Sequence, residues 1–387
     1  MIAFSRTDTS LLARWWWTVD RWTLGAVVIL LALGAVVTMA ASPAVADRLG
    51  LDPFYFVRRQ FVFLSLGAGA MLAISFLSPQ GVKRLGAAVL AVSVVLLVLV
   101  LFKGVEIKGA VRWIQIAGVS LQPAEFVKPA FAVVAAGLFA RRRADPRFPG
   151  YALAGGMFAL IALLLLLQPD VGQTLLIAAV WGVQFFLAGL PLILVAAIGL
   201  CFIGASVGAY FAFSHVQARV DRFLDPSGGE GFQVSRALDA LRNGGLFGRG
   251  PGEGQVKRVL PDAHADFIFA VIGEEFGAIV GLILIGLFLF LVLRGLARAL
   301  RDWDLFVVIA VAGLLVQFGL QAIINMASAI NLMPPKGMTL PFVSYGGSST
   351  LGIALGIGMV LALTRERPGE QSATHARRAD FGARPAR

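Results

Sequence analysis

The sequence predicts an all-α polytopic membrane protein of ten transmembrane helices, with one large extracytoplasmic loop between the seventh and eighth. Three observations predict it. Of 387 residues, 58% are apolar and only 14% charged, with a mean hydropathy of +0.83, too little charge to clothe water-facing domains. Apolar runs of about twenty residues recur along the chain, each long enough to cross a bilayer as a helix. The single cysteine, Cys201, excludes an internal disulfide or a Cys-based metal cluster, and three histidines give little material for a zinc site.

The spans fall at 23–42, 60–78, 85–102, 122–140, 150–168, 170–188, 191–213, 266–293, 305–328 and 347–364. Before the first lies a segment, 1–22, whose Arg14, Trp15, Trp16, Trp17, Arg21 and Trp22 suit the headgroup layer. An even number of spans puts both termini on one side. That side carries 18 Lys and Arg; the other carries 14, of which 7 lie in the one long loop, leaving 7 in its short segments. Positive-inside bias therefore places both termini in the cytoplasm. The chain divides into a cytoplasmic segment 1–22, a membrane domain 23–364 with its large loop at about 214–265, and a basic tail 365–387 expected to be disordered. The net charge of +11 is then mainly a topology signal, and nucleic-acid binding drops out.

The odd-numbered loops face outward and hold nearly every unusual polar cluster, so chemistry is expected on the exterior face. The third loop and fourth span contain Arg112 and then Gln122-Pro123-Ala124-Glu125…Lys128. Glu125 and Lys128, at i and i+3, share one helical face, either as a structural ion pair or lining a cavity where Lys128 meets an anionic headgroup. Gln168-Pro169-Asp170 turns directly into the sixth span, so Asp170 reads as a helix cap or as the rim of the same cavity.

The long loop holds Val234, Ala237, Leu238 and Leu241 at helical spacing, which predicts a short amphipathic helix on the membrane surface. The Gly-rich run Gly244–Gly254 follows; without a preceding strand or a Gly-Lys-Ser/Thr it reads as tightly turned backbone packed on other loops, not a phosphate loop. Seven basic residues, among them Arg249 and Lys257, run against the usual exterior bias and suit an anionic substrate group. Asp266 sits at or near the start of the eighth span, as a cap or as a general base for a substrate hydroxyl. Glu274 and Glu275, deeper in that span, read as structural, or as partners for Lys128 or a basic loop residue. The ninth loop, Asn325-Met326 and then Asn331 to Ser349, breaks the helix with prolines and glycines beside Lys336, Thr339, Ser344 and Ser348. Irregular backbone at membrane depth suits a binding site or re-entrant cap.

Taken in order, these motifs resemble the SEDS family (shape, elongation, division and sporulation), most closely its cell-division branch. The residues that carry the resemblance are Gly109–Ile114 with Gln122–Lys128, Gln168–Gly172, Leu260-Pro261…His264…Asp266–Phe269, Gly273-Glu274-Glu275, and Pro335-Lys336-Gly337…Thr339–Ser349. The resemblance covers the whole membrane region. It implies a peptidoglycan glycosyltransferase of ten helices in the bacterial cytoplasmic membrane, at the division septum. It would polymerise lipid II beside a class B penicillin-binding protein and other divisome membrane proteins. The family's essential carboxylate falls on Asp266; this chain has His264-Ala265-Asp266 where the family usually has His-Thr-Asp.

The expected chemistry has Asp266 as base on the acceptor's sugar 4-hydroxyl, which attacks the donor's anomeric carbon with inversion. Basic groups would stabilise the departing pyrophosphate, and a divalent cation, Mg or Mn, is a further candidate for that task. Expected substrate contacts are Arg112, Glu125, Lys128, Asp170, Arg249, Lys257, His264, Lys336, Thr339, Ser344 and Ser348. Two other readings are a lipid II flippase and a non-catalytic division scaffold. Polar groups gathered on one face, rather than along a path to both, favour the polymerase.

Overall fold

The computed structural model describes residues 8, 10–107, 110–116, 118–190, 192–214, 216–218, 221, 229–334 and 337–366. Lys336 and the tail from residue 367, together with Arg219 and Arg222 of the long loop, lie outside these described residues.

Helix α1 (Leu11–Thr18) is capped by the Ser10 hydroxyl, and α2 (Arg21–Arg48) by Asp20. Then come α3 (Tyr55–Ser75) and α4 (Pro79–Lys103), the latter started by a Ser78 cap with proline in its first turn. The third loop is not irregular, and the expectation of an all-α chain needs this correction: β1 (Val105–Ile107), β2 (Ala110–Ile116) and β3 (Val119–Leu121) form an antiparallel three-stranded meander. Val105 pairs with Trp113 and Ile114 with Leu121. The physical reason is the density of β-branched and aromatic residues in Val111-Arg112-Trp113-Ile114-Gln115-Ile116, which suit a pleated, half-buried surface.

Helices α5 (Ala124–Ala144), α6 (Gly150–Leu167), α7 (Val171–Leu187) and α8 (Leu192–Ala212) follow, then α9 (Gly229–Gly244), α10 (Ile268–Ala299), α11 (Leu305–Ala329) and α12 (Gly347–Leu363). Each predicted apolar segment coincides with a helix. Among the described residues, six (α2, α3, α4, α6, α10 and α11) are long and apolar enough to cross a membrane.

Burial is distributed as expected for a bundle in an apolar solvent. Val92, Val95, Leu282 and Ile283 are exposed, whereas Gln60, Glu125, Lys128, Gln184, Glu274, Glu275 and Gln321 are buried. Two apolar clusters share the core. One joins α2 and α10 to α11, α12 and the loop between those two; the other joins α4, α5, α6 and α7 to α11 and α12. Small residues let the central backbones approach: any side chain at Gly352 of α12 would overlap the Glu125 carbonyl of α5.

The expected amphipathic helix of the long loop is α9, but it packs on α10 rather than lying on a membrane surface. Val234, Ala237 and Ala240 are buried, and Leu241 fits over Gly273. An apolar stripe of this kind is satisfied equally by lipid or by a neighbouring helix. The Gly-rich run then docks on a break in α10. There Gly277 takes φ 83°, a left-handed value that favours glycine, and a side chain on it would overlap the Leu246 carbonyl. The backbone groups freed by the break bond to the run: Arg249 and Gly250 N–H donate to the Glu274 and Glu275 carbonyls, and Ala278 N–H donates to Gly245 O.

Candidate functional site

The α10 break also fixes the two acidic residues. Glu275 accepts the Lys257 ammonium at 2.5 Å and Gly252 N–H at 2.9 Å, while Glu274 accepts Gln255 and Val256 N–H. Of the partners expected for this pair, the basic loop residue is the one found. Lys257 spends its other two protons on the Ala40 and Gly252 carbonyls, 2.8 Å each, and is 4% exposed. Its ammonium therefore anchors the loop to α2 and α10. Arg236, Arg242, Arg249 and Arg258 stay on the surface, with Arg249 donating to Asn243 O.

Asp266 precedes α10 by two residues and is half-buried. The turn that delivers it starts at Asp262, whose left-handed φ of 52° is costly for a non-glycine residue, and whose carbonyl accepts the Ala265 and Asp266 N–H groups. The loop between α11 and α12 holds this turn from the other side. Tyr345 N–H donates to His264 O, and Ser344 Oγ donates to Ala265 O at 2.6 Å while accepting Leu340 N–H. The His264 ring packs against both Phe56 and Tyr345, centroids 4.6 and 5.2 Å away, and those two rings are 5.1 Å from each other. The loop is itself bent by a left-handed Phe342, φ 62°, whose carbonyl sits where Gly34 of α2 leaves space.

A second polar group lies within the bundle. Lys128 Nζ sits 3.0 Å from both Glu125 carboxylate oxygens and donates to Gln321 Oε1 at 2.9 Å. Glu125 also accepts from Gln173 Nε2 of α7. Asp170 caps α7 through Gln173 N–H and lies 3.7 Å from the Arg112 guanidinium, which also donates to the Gln168 and Pro169 carbonyls. The i, i+3 ion pair and the Asp170 cap are therefore both present.

The two groups connect through α11. Gln321 Nε2 donates to Thr339 O at 3.1 Å, with Ser349 and the Thr339 hydroxyl near it, and Thr339 and Ser349 hydroxyls are 2.5 Å apart. One turn on, Asn325 Nδ2 donates to Met338 O and to Asp266 O. Ser348 accepts Gln122 N–H and so ties α12 to the start of α5. The roles of Gln321, Asn325 and Gln173 escape motif reading. The available signal was amides at i and i+4 on an otherwise apolar helix, where every polar group needs a partner. Of the expected site residues, Arg112, Asp170, Glu125 and Lys128 thus form one polar group that reaches Thr339 through Gln321; Ser344, with Tyr345 and Asn325, holds the main chain of His264 to Asp266; Ser348 bonds Gln122; and Lys257 and Arg249 belong to the surrounding loop. Among the described residues no three His, Cys, Asp or Glu side chains converge.

A bundle with an apolar exterior, a buried ionic core and a half-buried carboxylate at a broken loop defines the class: a polytopic helical membrane protein built around a polar site near one face. Residues 21–368 match the FtsW/RodA/SpoVE model, described as a cell cycle protein. The chain belongs to this family, the SEDS proteins. It is 46% identical over 373 residues to the "Probable peptidoglycan glycosyltransferase FtsW" of Caulobacter vibrioides, covering 96% of each chain. Its likeness to the FtsW of Trichlorobacter lovleyi, which carries the same name, is 37% over 87% of this chain and 91% of that one. Two solved structures share the fold. One, from work on coordination of polymerization and crosslinking by a peptidoglycan synthase complex, has a TM-score of 0.75 at 30% identity, covering 89% of this chain and 97% of that one. The rod shape determining protein RodA of Thermus thermophilus has a TM-score of 0.65 at 30% identity, covering 90% and 97%.

Proposed function

We propose that the protein is a peptidoglycan glycosyltransferase that polymerises lipid II at the outer face of the bacterial cytoplasmic membrane during cell division. The family membership and the shared name of its relatives support the reaction. The observation that carries the site is that Gln321 and Asn325, one turn apart on α11, hold the Glu125–Lys128 pair and the Asp266 main-chain carbonyl to the same Met338–Thr339 stretch of loop. Ten helices, α2 to α8 and α10 to α12, would span the membrane with both termini cytoplasmic, which places Asp266 and the α11–α12 loop outside.

In this reading the carboxylate of Asp266 takes the proton of the acceptor's 4-hydroxyl as its oxygen bonds to the donor's anomeric carbon. The bond from that carbon to the lipid pyrophosphate breaks on the opposite face, inverting the centre. Lys128, Arg112 and Lys336 are the proposed cations for pyrophosphate and headgroup, Arg249 a peripheral one; Thr339, Ser344, Ser348 and His264 shape the site. A divalent cation, Mg or Mn, carried by the pyrophosphate itself would add to this charge stabilisation, and no step is routed through it. A class B penicillin-binding protein is the proposed partner, supported by the crosslinking named for the similar synthase complex; other divisome membrane proteins would join at the septum.

Purified protein supplied with lipid II, with and without the penicillin-binding partner, tests this. Glycan strands are expected from the wild type, and none from a folded Asp266→Ala variant. Strands from that variant would remove Asp266 from the chemistry. Lipid transfer across a vesicle without strands would indicate a flippase, and neither activity a scaffold.

A further inference from the structure

Three successive carbonyls, those of His264, Ala265 and Asp266, precede α10. Each is held from outside: His264 O by Tyr345 N–H, Ala265 O by Ser344 Oγ, and Asp266 O by Asn325 Nδ2 at 3.0 Å. Asn325 is 2% exposed on α11 and donates its second proton to Met338 O at 2.7 Å. Both acceptors are carbonyl oxygens, so the side chain must present its NH2 group to them, and its orientation is set. Asn325 thus clips the peptide of Asp266 to the loop that closes the site.

The geometry points to Asn325 as a positioning residue for the transfer reaction: it fixes where the Asp266 carboxylate stands relative to the α11–α12 loop without touching substrate. A carboxylate on a single methylene follows its own peptide closely. A shift of about 1 Å in a reacting group costs up to about a hundredfold in rate. Two unequal replacements separate the bonds. Asn325→Ala removes both donors; Asn325→Asp keeps the volume but can donate at most one.

This inference rests on the reading of Asp266 as the base, and the experiment keeps the two apart. Full-length wild type, Asp266→Ala, Asn325→Asp and Asn325→Ala proteins are compared for lipid II polymerisation, lipid II binding stoichiometry and thermal unfolding in one detergent. For Asn325→Ala, kcat is expected to fall about ten- to a hundredfold with KM within about twofold and binding stoichiometry unchanged. Asn325→Asp should fall in between. A purely structural residue would instead lower stoichiometry and rate together. Unchanged kcat in Asn325→Ala, a rise in KM that accounts for the loss, or failure of both variants to fold would overturn the proposal. Activity in Asp266→Ala, or none in the wild type, would instead overturn the reading beneath it.

Discussion

Lys257 and Glu275 form a buried ion pair at 2.5 Å that ties the Gly-rich loop to α10 just before the helix breaks at Gly277. Both side chains are almost wholly buried, 5% and 0% exposed, so the pair is not softened by water. Removing one partner strands a charge in an apolar interior, which costs about 3–5 kcal/mol. Lys257→Met and Glu275→Gln should each lower the unfolding temperature in detergent clearly. The double replacement should cost less than the sum of the two, because no uncompensated charge remains. Recovery will be partial, since Lys257 also serves the Ala40 and Gly252 carbonyls. Additive losses would show that the pair is not coupled.

That Glu125 would pair with Lys128 was legible in the sequence from their i, i+3 spacing; that a buried Glu275 needs a partner follows from the cost of burying a lone charge, but whether Lys128 or a basic loop residue supplies it was left open until packing chose Lys257. The meander at Val105–Leu121 was signalled only by its β-branched and aromatic residues and was hidden by its place between long apolar runs. The seat of α9 on α10 was not legible at all, since its buried face would suit lipid as well. Asn325 and Gln321 could be read as polar positions in α11, but their partners, Asp266, Met338, Thr339 and Lys128, come from three separate stretches of chain that only tertiary packing assembles.

At the opposite end of α10, Arg294 grips Asp20 with two bonds of 2.6 and 2.7 Å, and Arg298 stands 3.4 Å away. Burial would push the Asp20 carboxyl up, but the hydrogen bonds from Arg294 and Thr23 and the arginine charges outweigh it and hold it below its ordinary 3.8. A carboxyl with a depressed folded value stabilises above its unfolded value and loses that contribution as pH falls through the folded one. Arg294 is about a third exposed, so the contribution is on the order of 1 kcal/mol. Asp20→Asn should therefore melt below the wild type by a constant margin from pH 8 to 5. The margin should close as pH falls below 3.8. A gap that does not narrow at all as pH falls below that value would assign the effect to the cap on α2 instead of the charge.

Ala265 stands where the family usually carries threonine, next to the proposed base, and its side chain is half-buried. The structure locates what fixes this peptide. Ala265 N–H bonds to Asp262 O, and its carbonyl takes the Ser344 hydroxyl at 2.6 Å, so both backbone groups are satisfied without any help from the side chain. A threonine hydroxyl at 265 would add a group to a turn whose position is already set from both sides. Ala265→Thr should accordingly change the polymerisation rate by less than about threefold, under about 0.7 kcal/mol in barrier. Ser344→Ala, which leaves Leu340 N–H and Ala265 O both unpaired in a buried setting, should lower it by more. Initial rates with lipid II for the two variants measure this directly. A tenfold rise in Ala265→Thr would mean that the side chain, and not the main-chain clip, limits how this chain presents Asp266.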